Sequence, residues 1–262
     1  MIMNIHFNKF QGTGNDFIIL DNRNLTYSSI TNSQIKALCD RHFGIGADGL
    51  MLLNDSTEFD FEMKYYNSDG NESTMCGNGG RCITAFAKQL GMITNKAVFK
   101  AIDGIHESLI DENNFIELKM NDVHAMIIRE ESFELNTGSP HYVHYIDEVK
   151  NLDIKKEGAL IRYSPLYKDE GINVNFVEVL NNNELFVRTY ERGVEDETLS
   201  CGTGVTASAL TFIKDLFGEQ AVSVKTLGGE LIVKCNHSGD QDYTDIWLCG
   251  HAGFVFTGEI SI

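Results

Sequence analysis

The chain has 262 residues, a net charge of −17 and 42% hydrophobic residues. That apolar content excludes disorder, and the length suits one large domain or two small ones without disulfide or metal staples. The acidic balance argues against a nucleic-acid partner, which needs a basic face, and against an anionic membrane surface.

Strands are predicted over Met3–Lys9 and Phe17–Asp21, each a short run of β-branched or aromatic residues between turn residues. A helix follows over Thr31–His42, with Thr31 or Ser33 as its cap and Ile35, Leu38 and Cys39 at helical spacing. Strands come next at Leu50–Leu53 and Phe59–Tyr66, then a helix over Gly80–Leu90 that stops at Gly91. Ala97–Ile102, Phe115–Met120, Val174–Leu180 and Leu185–Tyr190 read as strands, and Gly204–Phe217 as a helix stopped by Gly218. Ala221–Lys225, Leu231–Cys235 and Asp245–Leu248 are the last strands. Many strands and few helices predict an α+β fold, not a doubly wound sheet.

The chain also repeats itself. Lys64–Gly79 reads KYYNSDGNESTMCGNG and Arg188–Gly204 reads RTYERGVEDETLSCGTG. Each has a base, an aromatic, a polar turn, a cysteine and a Gly-x-Gly opening a helix. Thr13-Gly14-Asn15 and Thr137-Gly138-Ser139 form a second pair, and the spacings from Thr13 to Cys76 and from Thr137 to Cys201 agree within one residue. Two similar halves, not a short-period solenoid, are implied.

Six cysteines are too few for a disulfide scaffold. The N-terminal MIMNIHFNKF lacks a secretory pattern, and no apolar run reaches the ~20 residues that span a bilayer. A reducing, cytoplasmic compartment is expected, with the thiols reduced. Cys39, Cys82, Cys235 and Cys249 read as small core residues. Cys76 and Cys201 differ, because each precedes a Gly-x-Gly turn at a helix start. Such an end offers unpaired N–H groups and a positive dipole, which hold a carboxylate and favour a thiolate. Two such ends facing one amino acid would place a thiol on either side of its α-carbon. One thiolate could take the α-proton while the other thiol returns one, with backbone N–H groups stabilising the carbanion-like transition state. No cofactor is required.

Nine ordered segments carry a resemblance. They are GTGNDF (Gly12–Phe17), RHFGIGADGL (Arg41–Leu50), YNSDG (Tyr66–Gly70), MCGNGGRC (Met75–Cys82), GSPH (Gly138–His141), INVNF (Ile172–Phe176), YERG (Tyr190–Gly193), ETLSCGTG (Glu197–Gly204) and Gly228-Gly229. Over nearly its whole length the chain resembles the diaminopimelate epimerase family. The resemblance implies a cofactor-independent epimerase interconverting LL- and meso-diaminopimelate on the lysine and peptidoglycan route. By motif, Cys76 and Cys201 are the acid–base pair, the first usually called the donor and the second the acceptor for LL to meso. Gly77, Asn78, Gly202 and Thr203 would cradle the reacting carboxylate. Asn15, Asn67, Asn173, Glu191 and Arg192 would hold the rest of the substrate, and His141 and Glu191 resemble residues that tune the thiols. A homodimer is implied, with no metal, nucleic acid or membrane partner.

The expected architecture is two pseudo-symmetric domains, each a mixed, mostly antiparallel sheet wrapped round a central helix, with the site in the cleft between them. Residues 1–121 form the first, to which a C-terminal strand at about 250–262 returns, and 122–249 form the second. Four positions depart from the family pattern: Ser139 for a usual asparagine, Gly49 where some members place a substrate-facing glutamine, Glu195-Asp196 lengthening the segment before ETLSC, and His251 for a usual proline.

Other signals carry less. Gly44–Gly49 matches G-x-G-x-x-G but follows a helix and precedes a strand, the reverse of a dinucleotide fingerprint. Cys76 and Cys82 are spaced too widely for the usual metal pair. A proline-racemase-like enzyme is one rival, although it would leave Arg192 and the asparagines unpaired; a redox or metal-binding thiol protein is the other.

Overall fold

Residues 3–262 are described by a computed structural model. The chain forms two units, one comprising the residues up to Leu118 with His251–Ile262, the other Lys119–Gly250. The first unit runs β1 (Asn4–Gly12), β2 (Asn15–Asp21), α1 (Asn32–Cys39), β3 (Gly49–Asn54), β4 (Phe61–Asn67), β5 (Glu72–Ser73), α2 (Gly77–Gln89), β6 (Lys96–Ala101), β7 (Gly104–Ile110) and β8 (Phe115–Lys119). β1–β2 and β3–β4 are antiparallel, while β2–β3 is parallel across α1. β4 pairs antiparallel with β5 and parallel with β6, and β6–β7–β8 is an antiparallel meander.

Helices on both faces explain the unbroken apolar runs in β2 and β3. Ile18, Leu20, Leu50 and Leu52 join Ile35, Leu38 and Cys39 in a core under α1. Phe17 and Met51 lie against the first turn of α2, where a Cβ on Gly79 would be 3.7 and 3.5 Å from them. α2 is buried continuously from Gly77 to Ala87, so it is the central helix of this unit.

The second unit runs β9 (Met126–Ile128), β10 (Ser132–Asn136), β11 (Pro140–Tyr145), α3 (Ile154–Arg162), β12 (Asn173–Asn181), β13 (Glu184–Glu191), β14 (Asp196–Thr198), α4 (Gly202–Phe212), β15 (Gly218–Thr226), β16 (Gly229–Gly239) and β17 (Asp242–His251). Its pairings reproduce those of the first unit strand for strand. β10–β11 is antiparallel, β11–β12 parallel and β12–β13 antiparallel. β13 pairs antiparallel with β14 and parallel with β15, followed by β15–β16–β17. The last strand, β18 (Gly253–Ser261), pairs antiparallel with β1 in the first unit, as β9 pairs with β10 in the second. The fold is α+β and sheet-dominated, and the duplication read from two motifs extends to the whole topology. Among the described residues, no helix is long and apolar enough to cross a membrane.

Several boundaries differ from the sequence expectation. α1 ends at Cys39, because the Asp40 carboxylate takes the N–H groups of His42 and Phe43, each at 2.8 Å, and so competes with the helix. The loop then folds back, with Ile45 and Gly46 donating to Leu38 O. Thr31, not Ser33, is the cap, forming a capping box with Gln34. α2 begins three residues earlier than Gly80 because Cys76 caps it. Gly91, at φ +72°, closes α2, with N–H bonds from Gly91 to Lys88 O and from Met92 to Ala87 O. α4 begins at Gly202 and ends at Phe212; Gly218, at φ +79°, opens β15 and is no helix stop. α3 is an element the sequence pattern does not announce, because mid-helix Gly158 weakens its helical signal. A Cβ there would lie 2.4 Å from Cβ of Tyr190, so close packing on β13 requires the glycine.

Candidate active site

In the first unit, Cys76 is the N-cap of α2, in extended conformation, and its Sγ accepts the N–H of Gly79 at 3.2 Å. Gly79 permits this approach, since a Cβ there would already sit 3.1 Å from the sulfur. The thiol thus lies at the positive end of a buried helix, and Cys76 itself is half-buried. Behind it, Asn78 is buried. Its Oδ1 accepts from Thr13 Oγ1 at 3.1 Å and Arg81 Nη2 at 2.9 Å, and its Nδ2 donates to Asn15 Oδ1. Arg81 also donates to Gly77 O at 3.2 Å and Thr13 Oγ1 at 2.9 Å. Asn15 continues to Asp48 Oδ2 at 3.0 Å, and Arg41 bridges Asp48 and Asp16 at 2.7 and 2.6 Å. Burial raises the Asp16 pKa, but Arg41 and Lys9 overcome it and hold the carboxyl below its ordinary value.

In the second unit, Cys201 caps α4 and is nearly buried, with Sγ 3.4 Å from Thr203 Oγ1. Thr137 Oγ1 donates to Thr203 O at 2.8 Å. Thr13 therefore reaches the residue two beyond Cys76, and Thr137 the residue two beyond Cys201. Against the first turn of α4 stand His141 and Asn175, both fully buried. Asn175 Nδ2 lies 3.0 Å from His141 Nδ1. Burial, then the charge of Arg192, pushes the His141 pKa down to about 3, so the ring is neutral near pH 7.

The other candidates occupy strand ends. Asn173 is buried, and its side chain donates to Ser139 Oγ at 2.8 Å and Pro140 O at 2.9 Å while accepting the N–H of Arg192 at 2.9 Å. It shapes the loop through Ser139, so serine there retains a partner. Arg192 is exposed, with Nη1 on Glu170 O at 3.0 Å. Glu191 ends β13 opposite Asp196, and Asn67 ends β4, exposed, opposite Gly49. Gly49 has no room for a side chain, since a Cβ would meet Tyr65 Cε2 at 2.5 Å and Tyr66 O at 2.6 Å. The longer segment at Glu195 makes a left-handed turn, φ +57°, whose carboxylate accepts from Tyr163 and Tyr190 at 2.8 and 3.0 Å. His251 stacks edge-on to Phe115 at 5.2 Å.

Arg81, Asp48 and Asn175 join the site without having stood out in the sequence. An arginine one turn into a glycine-rich helix and an asparagine inside an apolar strand were the available signals. The four remaining cysteines are buried. Desolvation lifts Cys39 to about 12 and Cys235 to about 11, and raises Cys82 further. Among the described residues, no three His, Cys, Asp or Glu side chains gather so as to hold a metal ion.

Residues 7–124 and 133–253 match the family described as Diaminopimelate epimerase. A protein of that name from Flavobacterium psychrophilum is 51% identical over 253 residues, covering 96% of this chain and 98% of its own. Another from Chlorobaculum tepidum is 40% identical, covering 96% and 99%, and one from Aquifex aeolicus 36%, covering 98% of each. Among solved structures, a phenazine biosynthesis protein of the PhzF family from Bacillus anthracis superposes with a TM-score of 0.74 at 14% identity, covering 100% of each chain. A hydroxyproline epimerase from Agrobacterium vitis gives 0.72 at 12%, covering 99% of this chain and 93% of its own. At these identities the structural likeness concerns the fold.

Proposed function

This chain belongs to the diaminopimelate epimerase family and is an epimerase of diaminopimelate, and we propose that Cys76 and Cys201 are the acid–base pair that interconverts the LL and meso forms. The observation that carries this is the pairing of the two cysteines. Each is the N-cap of the central helix of its unit, in the connection that follows topologically equivalent strands, with a threonine bonded to the residue two positions on.

The reaction needs a base, an acid and a place for the carboxylate. A thiolate takes the α-proton as the Cα–H bond breaks, and the electron pair delocalises into the carboxylate. The opposite thiol then gives its proton to the other face, so thiol and thiolate exchange roles. The N–H groups of Gly77 and Asn78, and of Gly202 and Thr203, belong to first helical turns, which have no intrahelical acceptor and favour an anion. Strengthened there, the carboxylate stabilises the carbanion-like state. Asn15, Asn67, Asn173 and Glu191 hold the remainder of the substrate. Arg192 takes the distal carboxylate, a role its planar fork suits. His141 and Glu191 tune the thiols.

We place the enzyme in the cytoplasm, on the route to lysine and peptidoglycan precursors, acting without a cofactor. We also propose a homodimer. The exposed Phe254, Val255 and Phe256 on β18 support an apolar contact surface. Light scattering on the wild type and on Phe256→Asp tests it, and a wild type that is monomeric would overturn it.

The deciding experiment incubates reduced protein with LL-diaminopimelate in heavy water, without added cofactor. Meso product with deuterium at the inverted α-carbon is expected. Cys76→Ser and Cys201→Ser should abolish it and Cys39→Ser should not. Absence of exchange in the reduced wild type would overturn the proposal.

A further inference from the structure

We propose that Asn175 is a positioning residue that locks His141 in the tautomer protonated on Nε2, presenting a hydrogen-bond donor, not a base, beside the first turn of α4. The inference deepens the acid–base reading of Cys201 and rests on it for its functional meaning.

The orientation of the Asn175 amide follows from an obligate acceptor. Its Nδ2 lies 3.0 Å from Tyr142 O, a carbonyl that can only accept. Its Oδ1 receives Thr189 Oγ1 at 3.0 Å. The amide nitrogen therefore faces both Tyr142 O and His141 Nδ1, the latter also at 3.0 Å. An NH2 group has two hydrogens, one for each. A proton on Nδ1 would point donor at donor, so Nδ1 must be bare and the single ring proton must sit on Nε2.

The geometry leaves Asn175 no other pose. A Cβ on Gly204 would lie 2.2 Å from Asn175 Oδ1 and 3.3 Å from His141 Cε1, so glycine in the α4 turn seats both side chains. Full burial of both residues keeps water from competing. Nε2 is buried and has no hydrogen-bond partner among the described residues. A buried N–H without an acceptor is costly and calls for a reason, a role in catalysis among them. The acceptor that suits a donor beside a helix N-terminus is an anion, whether a substrate carboxylate or a thiolate. The arrangement also bars His141 from taking the α-proton, leaving the base role to sulfur on this side.

The test uses the whole enzyme with 15N-labelled histidine, the His141 signals being assigned by their loss in His141→Gln. Long-range proton–nitrogen spectra of the wild type should show Nδ1 as a bare, pyridine-type nitrogen and Nε2 as the protonated one. Asn175→Asp keeps the shape but replaces the donor with an acceptor. It should move the proton to Nδ1 and lower kcat roughly 10–100-fold, as loss of such supporting contacts does. A wild-type spectrum with Nδ1 protonated overturns the proposal, as does an Asn175→Asp enzyme that keeps both tautomer and kcat. The wild-type spectrum needs no turnover and no variant, so failure of the acid–base reading leaves this test standing.

Discussion

Thr13 donates its hydroxyl to Oδ1 of Asn78 at 3.1 Å, tying the β1–β2 turn to the helix that Cys76 caps. The turn is strained to do so, for Thr13 has φ +47°, a region that β-branched residues rarely enter. Strain of this kind persists only where the surroundings over-determine it. Here Arg81 does so by donating to both Thr13 and Asn78, each at 2.9 Å. The second unit has threonine at the matching position, Thr206, and lacks the arginine.

That asymmetry makes the two turn threonines unequal. Thr13→Val removes a donor to Asn78 and an acceptor for Arg81, two buried bonds of about 1 kcal/mol each. The expected loss is about 2 kcal/mol, or roughly 4–8 °C in Tm. Thr137→Val removes one bond, to Thr203 O, and should cost about half as much. Thermal unfolding of both variants checks the ranking, and equal losses would contradict the bracing role of Arg81.

Two glycines separate packing from backbone strain. Gly204→Ala places a methyl 2.2 Å from Asn175 Oδ1, so Asn175 must leave its pocket and His141 loses its partner. A loss of about 3 kcal/mol, the upper range for overpacking, should accompany a fall in kcat. Gly91→Ala meets nothing within 4 Å but keeps φ at +72°, costing about 1–2 kcal/mol for the left-handed backbone. It should retain full kcat. Denaturant unfolding with steady-state kinetics on both variants checks the contrast.

Much of the candidate site was legible because its residues fall in short segments. Cys76 and Cys201 stood out by context, and the threonine pair in register with them pointed to duplication. The remainder depends on contacts between distant segments. Arg81 reads as an ordinary helix residue until Thr13 and Asn78 are placed beside it. Asn175 looks like a polar blemish in INVNF until β11 brings His141 alongside. Elements failed to show for related reasons. α3 carries Gly158, which is costly in an isolated helix and required only by Tyr190 beneath it. β11 begins with Pro140, a strand opener that looks like a loop residue.

The burial of four cysteines predicts a labelling pattern. With Cys39 lifted to about 12, only about one molecule in ten thousand carries that thiolate at pH 8. Cys235, at about 11, is little better, and Cys82 and Cys249 are fully buried. Iodoacetamide at pH 8 should therefore modify Cys76 first, because it is half-buried, then Cys201, which is 8% exposed. Peptide mapping by mass spectrometry reads the order. Modification of Cys39 or Cys82 in folded protein before Cys76 would contradict it.

His141 should also mark the protein's response to acid. Burial, with Arg192 assisting, holds its folded pKa at about 3, against 6.5 when unperturbed. As pH falls below 6.5, the unfolded chain binds a proton that the folded site refuses, so unfolding gains. The His141 contribution is complete above about pH 6.5 and declines toward pH 3, by up to about 1.4 kcal/mol per pH unit. His141→Gln removes the titration while leaving an oxygen for the Asn175 amide. The stability of wild type relative to this variant should fall by about 2 kcal/mol between about pH 7.5 and about pH 5. Taking the difference cancels the carboxylates, such as Asp16, that also titrate in acid. A difference that stays flat across this range would mean that His141 takes up its proton as readily in the folded protein as in the unfolded chain. The second ring proton would then sit on Nδ1 against the Asn175 amide, which contradicts the bare Nδ1 as well.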